Sequence, residues 1–371
     1  MKILAIDTSC DETSVAVVEN DWIISNKISS QIELHKKWGG VVPNIAKVAH
    51  QENIDFVIQE ALIGAKTKIE EIDAFAVTQG PGLAIALEVG IKKAKELSQS
   101  YNKPLIAVNH MEGHIYSALA KNSKGNPRTE YTLPLLALLI SGGHTELVLM
   151  KDHGQYEVIG ETLDDAVGEA FDKVAKMLDL GYPGGPVLEK LAKEGDKNAY
   201  TLPIPMKQSK DANMSYSGLK TAVKQLVEKS LPINQFANLP VANDKTQESK
   251  ADSLVNSHIR KLTIDMAASF QKVAIESLIL KTEFALNSLK EKYKIQDLVI
   301  AGGVSANLAV RKAFRNKFQN QLRIHFPISK RLYGDNAAMI GVAAYFNALH
   351  GRFVEDLNEM DRKPNWRIDH I

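Results

Sequence analysis

The 371-residue sequence predicts a two-lobed α/β fold with a duplicated core and a cleft between the copies. Two observations carry this. A strand–turn–strand–strand pattern opens the chain and restarts at Leu135, and each copy runs on into helices and further strands. The turns at matching places are rich in glycine, hydroxyl and carboxylate residues, which suits ligand binding between two packed α/β units.

In the first copy, residues 2–7 form a buried strand, Thr13 to Val18 the return arm of a hairpin and Trp22 to Ile28 a third strand. Ala46 to Ile63 has helical spacing. Asp73 to Thr78 is a strand that leads through Gly80-Pro81-Gly82 into a helix ending near Ser98, and Leu105 to Val108 is the next strand. In the second copy the strands are Leu135 to Ile140, Thr145 to Met150 and Tyr156 to Thr162. Helices are expected at about 166–179, 185–194 and 216–230. Pro232 to His258 is polar and lacks apolar periodicity, as a surface insertion would be. A long helix follows, whose stripe of Leu262, Met266, Phe270, Val273, Leu280 and Phe284 belongs in a core. Leu298 to Ala301 is a strand reaching Gly302-Gly303, with a helix from about Ser305. Phe326 to Tyr333 is read as extended, ending where Gly334-Asp335-Asn336 opens the last helix.

Composition bounds the function. With 44% hydrophobic and 24% charged residues, and 45 basic against 44 acidic side chains, the chain is an ordinary globular protein of net charge +1. Any nucleic-acid surface must therefore be local. The single cysteine, Cys10, excludes an internal disulfide and fits a reducing compartment. The N-terminus enters a strand directly, and the apolar run Leu135 to Ile140 is too short to span a bilayer. A cytoplasmic enzyme or binding protein is expected.

The chemistry concentrates in a few motifs. His110-Met111-Glu112-Gly113-His114 sets two imidazoles four residues apart, about 40° in helical projection, so both can face one ion. The competing reading is a pair of unrelated surface histidines. A zinc protease would place its glutamate beside the first histidine; Met111 stands there, and Glu112 lies about 200° away from His110. Asp335 either caps the last helix or supplies a carboxylate to the histidine pair. Asp7 to Ser14 gathers three carboxylates and several hydroxyls in the first hairpin turn, against the plain reading of a self-satisfied turn. Ser141-Gly142-Gly143-His144-Thr145 fills the equivalent turn of the second copy, where glycine permits close backbone approach to a ligand. Asp165, Glu169 and Asp172 share a helical face, either functional or simply solvated. Ser305 reads as a helix cap, and Asn307 beside it as a hydrogen-bonding residue for a ring or ribose.

Together Asp7–Ser14, Gly80–Gly82, His110–His114, Ser141–Thr145, Glu169–Lys173, Tyr182–Pro186, Ser215–Lys220, Ala301–Asn307 and Gly334–Ala338 run nearly end to end. In this order they closely resemble the tRNA adenosine threonylcarbamoyltransferase family (TsaD/Gcp), in a bacterial or organellar spelling. The resemblance implies an actin/sugar-kinase/chaperone-ATPase fold. It implies a first lobe over residues 1–130 and a second over 131–371, with the last helix near 336–349 packing back on the first. It implies transfer of a threonylcarbamoyl group from threonylcarbamoyl-adenylate to the exocyclic amine of the adenosine 3′ of the anticodon, in tRNAs reading codons that begin with A. It puts metal ligands on His110, His114 and Asp335, with one divalent ion, iron favoured over zinc. Substrate contacts fall on Leu139, Ile140, Ser141, Gly142, Gly143, Asp172, Gly185, Glu189 and Asn307. Asp11 or Glu12 is the expected proton acceptor.

Three departures stand out: Glu189 replaces a frequent aspartate, the 232–258 insertion is longer than usual, and Ala86 and Glu88 make the Gly82–Gly90 loop atypical, so no contact is assigned to it. Lys220, Lys224, Lys229, Arg311, Lys312, Arg315, Lys317, Arg362, Lys363 and Arg367 are the candidate phosphate contacts for tRNA. Partner proteins are also implied: a paralogue of the first lobe, docking near Ala46 to Ile63, and a small ATPase. A small-molecule kinase or a nucleotide-binding scaffold of the same fold are the alternatives.

Overall fold

The computed structural model describes residues 1–127, 130–181, 183–230 and 250–371. The first half folds as β1 (Lys2–Asp7), β2 (Glu12–Glu19), β3 (Trp22–Ser30), α1 (Ile32–Lys36), α2 (Pro43–Ala65), β4 (Ala74–Gly80), α3 (Ala84–Tyr101), β5 (Leu105–Asn109), α4 (His110–Leu119) and β6 (Lys121–Asn122). The second half folds as β7 (Leu135–Ile140), β8 (Thr145–Asp152), β9 (Gln155–Glu161), α5 (Val167–Met177), α6 (Gly184–Ala192), α7 (Ser217–Ser230), α8 (Lys250–Leu289), β10 (Asp297–Ala301), α9 (Leu308–Phe318), β11 (Arg323–His325) and α10 (Ala337–Leu349).

The duplication is visible in the strand orders, β5-β4-β1-β2-β3-β6 and β11-β10-β7-β8-β9. In each sheet a hairpin supplies the antiparallel arms, and two parallel strands extend the other edge. Every residue of β7 is buried, so it reads as a continuous apolar run rather than an alternating one. Each such side chain contributes about 1.5–3 kcal/mol on burial. The helices fall into three layers. α2 and α3 cover the outer face of the first sheet, α5 to α9 cover the outer face of the second, and α4 and α10 lie between the sheets.

Several local expectations change. The 82–90 stretch is helical from Ala84, so it is no loop. Gly303–Ala306 is a 3-10 turn, and α9 begins at Leu308 with Asn307 as its cap rather than Ser305. The segment expected to be extended over 326–333 follows β11, which ends at His325, and closes into a short 3-10 turn at Lys330–Leu332. The polar stretch 232–258 lies mostly outside the described residues, as does Tyr182; from Lys250 onward it is already α8. On α8, Met266, Phe270 and Val273 are buried as expected, while Leu278 rather than Leu280 fills the core.

Far from the cleft, Asp297 anchors the start of the second sheet. Its Oδ1 accepts from Arg323 Nε at 2.9 Å and from His325 Nε2 at 2.7 Å; its Oδ2 accepts from Arg323 Nη2 at 2.6 Å and Thr132 Oγ1 at 2.8 Å. Burial would raise this carboxyl, but the histidine, arginine and threonine donors outweigh it and hold it well below the usual carboxylate range. A depressed carboxyl stabilises the fold above its unfolded value near pH 4 and loses that contribution as pH falls through the folded value. Asp297→Asn is thus expected to destabilise the protein by ~3 kcal/mol at pH 7. In denaturant titrations the gap to the parent should hold from pH 5 to 8 and narrow below about pH 4.

Candidate metal centre and interlobe cleft

The centre is built where β5 ends. Asn109 caps α4 by accepting from the Met111 and Glu112 amides, at 2.9 and 3.3 Å, so the helix starts at His110 itself. Four residues on, His114 lies one turn along the same face, and the two rings sit edge to face at 4.7 Å. Asp335 arrives from the other half. Asn336, not Asp335, caps α10 by accepting from the Met339 amide, which frees the aspartate to reach the histidines. Asp335 Oδ1 stands 3.3 Å from His110 Nε2 and 3.4 Å from His114 Nε2.

These residues fit a divalent cation. The three donor atoms lie within 4.8 Å of one another. Donors on one tetrahedral ion with bonds of 2.0–2.1 Å are separated by roughly 3.3 Å, close to the spacing seen. His114 Nε2, one of those donor atoms, is buried without a hydrogen-bond partner, a costly arrangement that a cation there would satisfy. Asp7, buried beneath, is fixed by the Ser9 amide and the Thr78 hydroxyl through Oδ1; its Oδ2 faces His110 Nδ1 at 3.9 Å. It is placed to orient that ring.

Electrostatics agree. Burial alone would lower His110, but the Asp335 charge and hydrogen bond lift it to about 9. His114 is lowered by burial, with a further push from His110. Asp335 is held well below the usual range despite its burial, chiefly by the His110 charge. Glu12 is pushed well up by burial and by the negative charges of Asp335 and Asp11. So much negative charge around one spot is what a cation would neutralise. Cys10 is pushed far up by burial and by the same carboxylates, which makes it a poor nucleophile.

His110 and Asp335 line one wall of a cleft of about 560 Å³ between the halves, with His114 buried behind them. Asp11, Glu12, His110, Ser141, Gly142, Gly143, Asp172 and Asp335 all line it. A side pocket of about 250 Å³ shares Gly142, Asp172 and Gly303 with the cleft and adds Gly185, Glu189 and Asn307. Leu139 and Ile140 do not reach either space: their side chains pack to opposite faces of β7, in separate cores. Only their backbone is left for a ligand.

Asp172 accepts from the Gly184 and Gly185 amides, both at 2.9 Å, and so caps α6; burial raises it even so. Of the acids on its face, Asp165 pairs with Lys173 and Lys220, while Glu169 pairs with Lys173 and lines the cleft beside Asp172. Glu189 accepts from the Leu308 amide at 3.1 Å and pairs with Lys193. Asn307 is committed at both ends, its oxygen capping α9 and its nitrogen donating to Gln271 at 2.8 Å.

Two features escape a reading of the motifs alone. His144 lines the cleft, and burial with the neighbouring His110 and His114 lowers it to about 4, so it is a neutral imidazole at pH 7; its only signal was its place in the Ser-Gly-Gly-His turn. Gly113 lets α4 approach α10, since a Cβ there would stand 2.8 Å from Ile340 Cδ1 and 3.2 Å from Met339 Cγ. At Gly302, φ is +91° and a Cβ would stand 2.4 Å from the Ile140 carbonyl, so the turn beside the side pocket requires glycine.

A duplicated two-sheet fold of the actin type, with His110 and Asp335 lining its central cleft, defines the structural class of the protein. Among solved structures, HypF from T. kodakarensis superposes with a TM-score of 0.58 at 12% identity, over 95% of this chain and 48% of that one. Full-length HypF in its phosphate- and nucleotide-bound form gives 0.54 at 13%, over 93% and 55%. These show the shared fold. A family model described as TsaD, tRNA N6-adenosine threonylcarbamoyltransferase, matches residues 22–342. Curated proteins named tRNA N6-adenosine threonylcarbamoyltransferase from Staphylococcus aureus strains JH9 and MRSA252 are 45% identical over 355 residues, 95% of this chain and 93% of each relative. The chain belongs to the tRNA N6-adenosine threonylcarbamoyltransferase family.

Proposed function

We propose that the cleft transfers the threonylcarbamoyl group of threonylcarbamoyl-adenylate to the exocyclic amine of the adenosine 3′ of the anticodon. The protein is a tRNA-modifying transferase of its family; the donor, the roles of individual residues and the metal are this reading. Its main support is the convergence of His110 Nε2 and His114 Nε2 on Asp335 Oδ1 beside the cleft, with His114 Nε2 buried and without a hydrogen-bond partner. A kinase or scaffold of the same fold has no use for that triad.

In this reading His110, His114 and Asp335 hold one divalent ion, iron in preference to zinc, which supplies Lewis-acid polarisation to the carbamoyl carbonyl or the adenylate phosphate. The side pocket takes the adenylate, with Gly142 and Gly143 presenting bare backbone and Asp172, Gly185, Glu189 and Asn307 around the nucleoside. The amine nitrogen attacks the carbamoyl carbon, the bond from that carbon to the adenylate phosphate oxygen breaks, and adenylate leaves. Asp11 or Glu12 takes the amine proton; both line the cleft beside the triad. Fixed orientation of a weak nucleophile against an activated acyl group accounts for most of the rate.

Most candidate phosphate contacts already have acidic or aromatic neighbours. Lys220, Lys317 and Arg367 pair with carboxylates, and Arg311 and Arg315 lie over Phe326. The ion-paired ones serve tRNA by exchanging those carboxylates, whereas an arginine over a ring keeps edge N–H groups for phosphate. α2 leaves Val48, Phe56 and Ile63 exposed on one stripe, which supports docking of the paralogous partner there; the small ATPase completes the proposed set. No described helix is long and apolar enough to cross a membrane, and a tRNA substrate favours action in the cytoplasm.

The test is reconstitution with threonine, bicarbonate, ATP, the adenylate synthase, the partners and unmodified tRNA, alongside nucleoside analysis of tRNA from cells carrying His110→Ala. The expected outcome is threonylcarbamoyl adenosine with the parent and its absence in His110→Ala cells. Normal modification in those cells would remove the metal from the mechanism.

A further inference from the structure

Residues 31–42 form a flap beside the cleft, and Ile32 and Val41 near its two ends line the cleft itself. The flap is pinned from below. His35 is fully buried; its Nε2 lies 3.3 Å from Gln31 Oε1, and its Nδ1 accepts from the Val42 amide at 3.3 Å. Gln31 in turn contacts the Ala46 carbonyl and His50. At the outer edge of this anchored segment stands Trp38, 60% exposed, the most exposed tryptophan of the three. Burying a ring this large would stabilise the fold, yet it faces solvent three residues from the cleft lining. Its surroundings are cationic. Lys37 Nζ lies 5.4 Å from the ring centroid, and Lys36 is exposed beside it, loosely paired at 3.6 Å with the exposed Glu33. Gly39 and Gly40 follow with nothing within 4 Å of where their Cβ atoms would be, so the backbone after the ring is uncrowded.

We propose that Trp38, with Lys36 and Lys37, is a stacking shelf for a nucleobase flanking the acceptor adenosine. The inference rests on the functional reading above. An adenosine that enters a cleft between two sheets leaves its stack, and its neighbours must find a new π-face at the rim. A rigidly based indole with adjacent ammonium groups offers that face together with phosphate contacts. A protein partner would also cover an exposed tryptophan, but would not call for two lysines at the mouth of a nucleotide cleft.

The experiment compares full-length parent, Trp38→Ala and Trp38→Phe, each with its partner proteins. It measures the dissociation constant for unmodified tRNA, the steady-state kcat and KM for tRNA, and the affinity for a non-hydrolysable adenylate analogue. Trp38→Ala should weaken tRNA binding and raise KM by about ten- to a hundredfold, the range for loss of one base–aromatic stack. Its kcat and analogue affinity should stay near the parent's, and Trp38→Phe should restore most of the loss. Unchanged tRNA affinity in Trp38→Ala, equal impairment of both variants, or loss of partner binding with an unchanged KM would each overturn the shelf. A parent that binds tRNA but transfers nothing would instead overturn the functional reading, with the stacking still legible in the binding constants.

Discussion

Asp335→Asn is expected to leave a folded protein that no longer holds its ion. Asparagine has the same shape, and Asp335 caps nothing, because Asn336 performs that task for α10. The change removes the one carboxylate, among the described residues, that lies within 4 Å of both imidazoles. Metal bound per chain should fall from one toward zero, and transfer to tRNA should drop by at least about a thousandfold, equivalent to ~4 kcal/mol of lost transition-state stabilisation. The metal-free variant should stay folded but melt below the metal-free parent, since buried His110 loses the charge partner that raises it. Added metal at a hundred times its dissociation constant should stabilise the parent by about 2.7 kcal/mol and the variant hardly at all. Full metal content in Asp335→Asn would show that the ligand set is wrong.

Glu112→Gln should change how stability depends on pH. Glu112 sits inside the histidine motif but turns away from the cleft, accepting from Tyr156 OH at 2.9 Å and Asn347 Nδ2 at 3.0 Å. Burial raises its carboxyl to about 7, against the lowering effect of Asn347, Tyr156 and Arg352. A raised carboxyl means that the folded protein binds more protons than the unfolded chain between pH ~4.5 and ~7, so stability falls as pH rises through that window. The amplitude is about 3 kcal/mol for a fully buried group shifted this far. Glutamine holds no such proton, so the slope between pH 4.5 and 7 should become shallower in denaturant titrations of Glu112→Gln, with Glu12 and Glu146 keeping their shares. An unchanged slope would place the titrating group elsewhere. The same residue explains why the motif is no protease signature: its carboxylate ties α4 to β9 and α10.

Much of this was legible in the chain because it was local. Apolar runs with glycine turns revealed β1, β7 and β10, and the i, i+4 histidines revealed one face of α4, since strand and helix periods need no tertiary knowledge. What depended on distant partners was not. Asp335 and Asn336 are equally good caps by type, and only the position of the imidazoles decides that the asparagine caps. Asp165, Glu169 and Asp172 share a face, yet Lys173 and Lys220 take the first two and the Gly184 and Gly185 amides take the third. Asn307 looked free to bind ligand, whereas Gln271 on α8, 36 positions away in sequence, engages its amide. Leu139 and Ile140 followed from the motif's extent, but strand alternation turns both side chains into hydrophobic interior.

The layer between the sheets is made by exchange. α4, from the chain's first half, leans on β7 and β10 of the second sheet, while α10, from the second half, covers the first sheet, and Gly113 lets the two helices nearly touch. Neither half therefore owns a finished interior by itself, and the halves cannot swing apart like a book without stripping a helix from its bed. Any breathing of the molecule must take the form of sliding within that crossed pair. An ion bridging α4 to the residue just ahead of α10 would act as a rivet through the sliding plane.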